Sequence, residues 1–381
     1  MLNVLSYYGV VTLFYFVIRF ILHRLNKPYT NEIKKSFTII IPVYKEDPNR
    51  FEECLNSCIK HLDGASEIIV VHDGYMDECY KIASKYACKN SKIIVEHHKT
   101  NEGKRKAQAT ALKYAKGEII VTVDSDTILH KNTIKELLKP FQDGKIAGVT
   151  GLIQVKNRSD NLLTKLLNIR YFMAGVFDRS SYSYYKVVNC TAGPLSAYRK
   201  SVFSEVLPYY LNQTHRGKRC TFGDDRCLTN LILRKGYGVF YQRRATCETY
   251  APNSLKTWLK QQLRWNRSFW RESWLALHWC WGRSKYLSLG ITLDCALPIL
   301  FLINLFLAIY QGIITLSFFI IIPYLATAIG IAFLRNFDYL QLTHRKDYFL
   351  APFYVLLYIF FLLPITIYAL FTTNNTSWMT R

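Results

Sequence analysis

Apolar residues along this 381-residue chain are concentrated at its two ends, and the charged residues lie roughly between Asn26 and Lys285. The first apolar stretch, LSYYGVVTLFYFVIRFIL at 5–22, approaches the length of about 20 residues that a helix needs to cross a bilayer. It lacks the basic start and the small-residue cleavage site of a secretory signal, so it predicts a membrane anchor. Three further apolar segments follow near 289–311, 314–334 and 348–371.

Between the two apolar ends, short β-rich runs alternate with helical stretches from Phe37 onwards. The runs are FTIIIPVY, EIIVVHDG, KIIVEHH and EIIVTVDSD, and the helical stretches include FEECLNSCIKHL and GKRKAQATALKYA. This alternation predicts an α/β domain with a mostly parallel sheet that is covered by helices on both faces. Ligands of such sheets bind beyond the carboxyl ends of the strands, so the polar residues that end these runs are the candidates for chemistry.

The segment at 254–283 is rich in Trp and Arg, which is typical of helices that lie in the membrane interface. We therefore expect five parts: an N-terminal anchor at 1–27, a cytosolic α/β domain at 28–253, interfacial helices at 254–285, membrane segments at 286–372 and a cytosolic tail at 373–381. Basic residues follow the anchor, and the positive-inside rule then places the N-terminus outside. These residues are Arg19, Arg24, Lys27, Lys34 and Lys35.

The net charge is +22, from 49 basic and 27 acidic residues. No basic tail, zinc-finger spacing or aromatic RNA-binding signature accompanies this excess, so we expect no nucleic-acid partner. A domain that faces anionic membrane lipid and negatively charged substrates is favoured. The ten cysteines form no CxxC pair, which argues against a zinc site or a disulfide framework and favours reduced thiols.

Two pairs of carboxylates are candidates for catalysis. In VTVDSDTILH, Asp124 and Asp126 follow an apolar strand, and alternation in an extended chain would turn both towards one divalent cation. The alternative is a simple strand-ending turn. In FGDDRCLTN, Asp224 and Asp225 precede a helical stretch, where one of them is a candidate general base and the other a candidate helix cap.

A third candidate block is QQLRWNRSFWRE, which places Gln261 and Arg264 on one face of a predicted helix, beside Trp265. An arginine suits bidentate contact with a diphosphate, and a tryptophan suits stacking under a sugar ring. The alternative is an interfacial helix with an aromatic belt.

Together these blocks, in this order and between membrane segments, resemble the processive family 2 glycosyltransferases, most closely the bacterial and viral hyaluronan synthases. The resemblance extends over nearly the whole chain, through IPVYKEDP, NEGKRKAQA, VDSDT, NLLTKLLNIRY, AGPLSAYR, GDDRCLTN, KQQLRWNRSFWRE and the final NTSWMTR. It implies a glycosyltransferase-A-like fold with a mixed, mostly parallel sheet. Two motifs depart from the pattern: this chain reads VHDG, with His72, where such enzymes read DDG, and CTAGPL, with Ala192, where they have serine before the glycine.

The resemblance also implies roles for individual residues. Asp225 is the expected general base with Asp224 beside it, and Asp124 and Asp126 are expected to hold Mg²⁺ or Mn²⁺. The uridine pocket would be lined by Tyr44, Glu46 and Asp73, with Lys104 and Arg105 beside the nucleotide and Asp124, Gln261 and Arg264 on the departing UDP. The acceptor site would be formed by Gly193, Pro194, Leu195 and Trp265.

The activity implied by the resemblance is processive β-glycosyl transfer that polymerises hyaluronan from UDP-GlcNAc and UDP-glucuronate. The enzyme would sit in the plasma membrane and pass the nascent polysaccharide through its own helices. Chitin and chitooligosaccharide synthases share the catalytic motifs, so a synthase that uses UDP-GlcNAc alone remains open. A non-catalytic membrane module that binds nucleotide sugars is a third possibility.

The chain ends on Trp378, Thr380 and Arg381, which match a W-G-T-R sequence that helps to close the nucleotide site in the similar synthases, with Met379 in place of the glycine. If all later apolar segments crossed the membrane, this tail would emerge outside, away from the nucleotide. We therefore expect the segment 348–371 to lie in the interface or to re-enter, because Pro352 and Pro364 each remove a backbone donor.

Overall fold

The computed structural model describes residues 2–315 and 321–376. The predicted tail residues Trp378, Thr380 and Arg381 lie outside these described residues.

An eight-stranded mixed sheet forms the centre of the described chain, in the order β3-β2-β1-β4-β7-β6-β10-β5. Its strands are β1 Phe37–Val43, β2 Glu67–Asp73, β3 Ile93–His98, β4 Ile119–Val123, β5 Thr127–Leu129, β6 Ile146–Val155, β7 Leu195–Arg199 and β10 Gly238–Thr249. Strands β3, β2, β1 and β4 are parallel neighbours, as are β6 and β10, whereas β7 and β5 run antiparallel to their partners. A separate hairpin pairs β8 Thr214–His215 with β9 Lys218–Arg219. The expectation of a mixed, mostly parallel sheet is confirmed.

The apolar runs at the centre of the sheet are buried along their whole length. Every residue of β1, β2 and β4 is buried, as is typical of parallel strands covered by helices on both faces. The covering helices begin at defined caps: the side chain of Asp47 accepts from the backbone N–H groups of Asn49 and Arg50. The helices of this domain are α2 Pro48–Ile59, α3 Glu78–Lys89, α4 Lys104–Tyr114, α5 Thr133–Leu138, α6 Leu162–Met173, α7 Ser180–Ser183, α8 Lys200–Leu211 and α9 Asp224–Arg234.

A second set of helices flanks the sheet domain: α1 Leu2–Leu25, α10 Leu255–Leu277, α11 Cys280–Arg283, α12 Lys285–Ile314, α13 Ile321–Thr343, α14 Ala351–Leu357 and α15 Leu363–Phe371. Within the described residues, three helical segments are long and apolar enough to cross a membrane: Tyr8–Leu25, Lys285–Ile314 and Lys346–Phe371. The aromatic and basic segment predicted to be helical forms α10 and α11.

The segment Lys346–Phe371 is helical throughout, and its helix type changes near its prolines. Pro352 lies in the first turn of α14 and Pro364 in the first turn of α15, and a π-helical stretch at Tyr358–Leu362 separates the two helices. Both ends of the segment contact elements that belong to, or pack on, the sheet domain. Its start packs on α6, and just after its end Thr372 Oγ1 accepts from Arg267 Nε of α10 at 3.1 Å.

Candidate active site

A cavity of about 2210 Å³ begins at the carboxyl ends of the central strands and extends between the flanking helices. Tyr44, Asp73 and Asp124 line its first part, directly at or after the ends of β1, β2 and β4, as expected for this sheet type. Phe301 and Asn304 of α12 line its far part. One continuous space therefore joins the strand ends to the predicted membrane helices.

Lys104 occupies the centre of the carboxylate cluster. Its ammonium nitrogen lies 2.8 Å from Asp124 Oδ1, 3.0 Å from Asp224 Oδ2 and 3.8 Å from Asp225 Oδ1. The lysine is the first residue of α4, Asp124 follows β4, and the two other aspartates form the first turn of α9. Three separate elements thus bring four charged side chains together.

The two aspartates of α9 differ in their affinity for a proton. Burial raises the pKa of Asp225, the neighbouring Asp224 carboxylate raises it further, and together they hold it well above its ordinary value. Burial also acts to raise the pKa of Asp224, but the closer Lys104 ammonium outweighs it and holds that pKa below its ordinary value. Asp225 is the more exposed of the two and lines the cavity, as a general base must.

The loop before α9 gives the aspartates their position. Gly223 caps the helix in the left-handed conformation, with φ of 79°, so neither aspartate is the cap and the expectation that one of them caps α9 is wrong. Both lie in the first helical turn, where the helix dipole favours negative charge. A Cβ on Gly223 would meet Ser268 Oγ at 2.0 Å, so the loop packs directly on α10.

Asp124 and Asp126 lie in a turn between β4 and β5, where Thr127 N donates to Asp124 O at 3.0 Å. The expected extended chain is therefore wrong, yet both side chains line the cavity. Thr249 Oγ1 donates to Asp126 Oδ1 at 3.1 Å and orients that carboxylate. Across the described residues, no cluster of three or more His, Cys, Asp or Glu side chains is arranged to hold a metal. Two hard carboxylates fit a divalent cation that takes its other ligands from a diphosphate and water.

Gly193, one of the predicted acceptor residues, packs closely against the carboxylate cluster. A Cβ on Gly193 would meet Asp124 Oδ2 at 2.9 Å, Asp225 Oδ2 at 3.0 Å and Lys104 Nζ at 3.3 Å. Gly193 and Pro194 line the cavity, but Leu195 is fully buried in the core at the start of β7. The side chain of Leu195 therefore supports the sheet.

Asp73 holds the loop that leads to Lys104. Its Oδ1 accepts from Glu102 N at 2.8 Å and lies 2.8 Å from His98 Nδ1, and its Oδ2 accepts from Gly103 N at 2.8 Å. Both carboxylate oxygens are thus engaged with the chain just before α4. His98, which the motifs did not single out, reaches on to Thr110 of α4, 2.9 Å from its Oγ1.

The other predicted nucleotide residues differ in where they point. Tyr44 and Glu46 line the cavity, and Glu46 Oε2 accepts from Ser125 Oγ at 2.8 Å. Arg105 is buried, and its guanidinium donates to Tyr210 O and Gln213 Oε1, both at 2.8 Å. His72 is buried against Asp77, with 2.8 Å between His72 Nε2 and Asp77 Oδ1.

Gln261, Arg264 and Trp265 all lie on α10 and line the cavity. Tyr171 of α6 positions two of them: its hydroxyl donates to Gln261 Oε1 at 3.5 Å, and its ring centre lies 6.2 Å from that of Trp265. Trp265 is 42% exposed and lines the cavity, so a ligand in the cavity can contact it. Tyr171 is the last residue of the NLLTKLLNIRY motif, but the sequence analysis predicts no role for it.

Further along the cavity, three arginines converge on Asp178, which lies in a π-helical turn at Ala174–Arg179. Arg19, Arg170 and Arg335 approach its carboxylate at 3.0, 2.9 and 2.8 Å. These residues come from α1, α6 and α13, so the cluster joins the sheet domain to two flanking helices. Arg170 lies in the NLLTKLLNIRY motif, but the sequence did not predict this cluster, because Arg19 and Arg335 are far from Asp178 in the chain.

Residues 38–207 match the family model described as Glycosyl transferase family 2. A hyaluronan synthase of Streptococcus pyogenes serotype M3 is 35% identical over 382 residues, which cover 98% of this chain and 90% of that protein. An N-acetylglucosaminyltransferase of Mesorhizobium japonicum is 33% identical over 359 residues, which cover 93% of this chain and 84% of that protein.

Among solved structures, a mannosyltransferase from Pyrobaculum calidifontis in complex with GDP-Man and Mn²⁺ shares the fold. The TM-score is 0.65 at 18% identity, and the match covers 97% of this chain and 98% of the other. The glycosyltransferase-A-like architecture expected from the sequence is thereby confirmed.

Proposed function

Because the chain belongs to glycosyl transferase family 2, and within it to the family of the hyaluronan synthases, we propose that this glycosyltransferase polymerises hyaluronan from UDP-GlcNAc and UDP-glucuronate. The carrying observation is the continuity of the cavity, which runs from the strand ends that bind nucleotides in such folds into the flanking helices. A growing chain that leaves the carboxylate cluster has this path open to it.

The net positive charge of the cavity beyond the carboxylate cluster supports a polymer that carries carboxylates. Beyond the carboxylate cluster, the cavity is lined by four arginines and two aspartates, Arg19, Arg170, Arg179, Arg335, Asp178 and Asp294. The cationic excess attracts the carboxylate of each glucuronate, whereas a chain of GlcNAc alone carries no charge for it to bind.

For the transfer step we assign the proton acceptor to Asp225. Its carboxylate takes the proton of the acceptor hydroxyl as that oxygen bonds to the anomeric carbon of the donor and the bond to UDP breaks, with inversion. Trp265 stacks on the acceptor sugar, and Arg264 and Gln261 face the departing diphosphate. Asp124 and Asp126 would hold Mg²⁺ or Mn²⁺, which supplies positive charge to the leaving phosphates when bound.

We place this membrane protein in the plasma membrane, with the N-terminus outside and the catalytic domain in the cytosol. The proposed parts remain 1–27, 28–253, 254–285, 286–372 and 373–381. The start of the segment Lys346–Phe371 packs on α6 of the sheet domain, and Thr372, just after its end, is hydrogen-bonded to Arg267 of α10. These contacts at both ends support a segment that lies in the interface rather than one that crosses the membrane. Thr376, the last described residue, lines the cavity, which supports the proposed role of the tail at the nucleotide.

A second candidate is a chitin-type or chitooligosaccharide synthase that uses UDP-GlcNAc alone. The similarity to an N-acetylglucosaminyltransferase over 84% of that protein favours it.

Purified enzyme incubated with radiolabelled UDP-GlcNAc, with and without UDP-glucuronate, separates the two candidates. We expect polymer only when both donors are present, and the product should be soluble and sensitive to hyaluronidase. A water-insoluble product from UDP-GlcNAc alone would instead establish chitin-type synthesis.

A further inference from the structure

The ammonium of Lys104 stands where a divalent cation would approach the carboxylate cluster. Its nitrogen lies 2.8 Å from Asp124 Oδ1, and Asp124 is one of the two carboxylates assigned to the cation. A Mg²⁺ or Mn²⁺ ion needs a site at about 2.0–2.2 Å from such an oxygen. Ammonium and cation would then be near neighbours of like charge.

We propose, on the basis of the proposed function, that Lys104 is a tethered cation that keeps the divalent ion out of the site until a nucleoside diphosphate arrives. The diphosphate offers the Lys104 ammonium new anionic partners. When the ammonium moves away from Asp124, that carboxylate becomes available to the metal. Lysine suits this exchange because its ammonium is a compact charge on a flexible stem.

The surroundings of Lys104 support a change of partner. The side chain is 19% exposed and lines the cavity, so a ligand in the cavity can reach it. Gly193 leaves the space beside the ammonium open, since a Cβ there would come within 3.3 Å of Lys104 Nζ. The backbone that carries the lysine is held from behind, because Asp73 accepts from the N–H groups of Glu102 and Gly103. The head group can therefore move while its helix stays in place.

This change of partner by Lys104 couples the binding of the metal ion to the binding of the nucleotide. Metal alone must compete with a lysine that already neutralises Asp124 and Asp224, whereas metal with nucleotide meets a lysine that has another partner. Linkage requires the effect to be reciprocal, so metal must strengthen nucleotide binding by the same factor.

The test measures Mn²⁺ binding to the intact enzyme in detergent or nanodiscs, by the electron paramagnetic resonance signal of free Mn²⁺, with and without UDP. Wild type should bind Mn²⁺ at least tenfold more tightly with UDP than without it. Lys104→Gln should bind Mn²⁺ at least tenfold more tightly than wild type when UDP is absent, and UDP should strengthen Mn²⁺ binding by a smaller factor than it does in wild type. Lys104→Arg retains the charge and should behave like wild type without UDP.

Two controls separate this effect from a general loss of charge. Lys113→Gln removes the same charge from an exposed position of the same helix and should leave Mn²⁺ binding unchanged. Adding Asp124→Asn to Lys104→Gln should abolish the gained affinity, which shows that the ion binds at the cluster. Melting temperatures establish that each variant is folded.

The inference would be overturned if folded Lys104→Gln bound Mn²⁺ no more tightly than wild type in the absence of UDP. It would also be overturned if UDP did not change the affinity of wild type for Mn²⁺. If wild type bound no Mn²⁺ even with UDP, the metal assignment of the proposed function would fail and the inference with it. A chitin-type product in the donor experiment would refute the proposed polymer and leave the role of Lys104 intact.

Discussion

Arg271 Nη2 donates a hydrogen bond of 2.6 Å to the carbonyl oxygen of Phe222. Arg271 is almost fully buried on α10, and Phe222 immediately precedes the glycine that caps α9. The same helix carries Gln261, Arg264 and Trp265, which line the cavity, so the bond joins this helix to the loop that positions Asp225. The motifs FGDDRCLTN and QQLRWNRSFWRE, which are far apart in the chain, therefore form one structural unit.

Gly223→Ala should disrupt this unit. The new Cβ would meet Ser268 Oγ at 2.0 Å, and we expect it to lower the melting temperature and to abolish transfer. Overpacking of this kind costs about 1–3 kcal/mol, in addition to about 1–2 kcal/mol for a non-glycine residue in the left-handed region. Thermal unfolding and UDP release measure both effects.

Gly217→Ala is the matched control for that substitution. Gly217 has a similar φ of 74° but no atom within 4 Å of a built Cβ, so only the conformational cost applies. Equal losses for the two variants would mean that packing against α10 is unimportant.

Asp225→Asn should reduce glycosyl transfer by about 10²–10⁴-fold, because the amide cannot accept the acceptor proton. UDP affinity should remain within a few-fold of wild type, since the change removes no proposed ligand of the nucleotide. Single-turnover transfer and isothermal titration with UDP measure the two quantities. Near-normal turnover would assign the base to another group.

Removal of divalent metal should stop transfer, because the two carboxylates in the turn after β4 are proposed to hold the cation at the diphosphate. Activity is expected to vanish in EDTA and to return with excess Mg²⁺ or Mn²⁺. Asp126→Asn should raise the Mn²⁺ concentration needed for half-maximal activity, and Thr249→Val, which removes the hydrogen bond to Asp126, should do so more weakly. Full activity in EDTA would make both carboxylates structural.

Arg335→Gln should shorten the polymer while it leaves the initial rate of UDP release within about twofold of wild type. The guanidinium lines the cavity beyond the carboxylate cluster, and its loss weakens attraction for the carboxylates of the growing chain. Gel electrophoresis of the product measures the length, and Arg335→Lys should restore part of it. Arg244→Gln, at an exposed position, is the control and should leave the polymer length unchanged. An unchanged polymer length in Arg335→Gln would show that this arginine does not bind the growing chain.

Deletion of residues 378–381 should cut catalysis sharply without loss of folding or membrane insertion. Thr221 donates a hydrogen bond to the carbonyl oxygen of Thr376, and Thr376 lines the cavity in which the nucleotide is proposed to bind. Turnover of the truncated enzyme in vesicles checks this. Unchanged turnover, or labelling of a cysteine at the tail only from outside, would contradict the proposal.

The sequence by itself determined the sheet domain and the residue types of its site. Continuous apolar runs such as FTIIIPVY are buried on both faces of a parallel sheet, and that burial pattern is readable without coordinates. Because parallel strands end at one edge, the approximate location of Asp73 and Asp124 followed as well. The changes of helix type near Pro352 and Pro364 are also local, since a proline removes a backbone donor wherever it stands.

Only the tertiary structure decided which of these side chains meet. Lys104 contacts three aspartates, and Asp178 contacts arginines from α1, α6 and α13. These contacts join residues that are far apart in the chain, by as many as 159 positions for Arg19 and Asp178. Such pairings depend on how whole elements pack, and no local pattern of charge encodes them. Packing likewise turned Leu195 into the core and engaged Arg105 with Tyr210, although both lie within motifs that the sequence marks as functional.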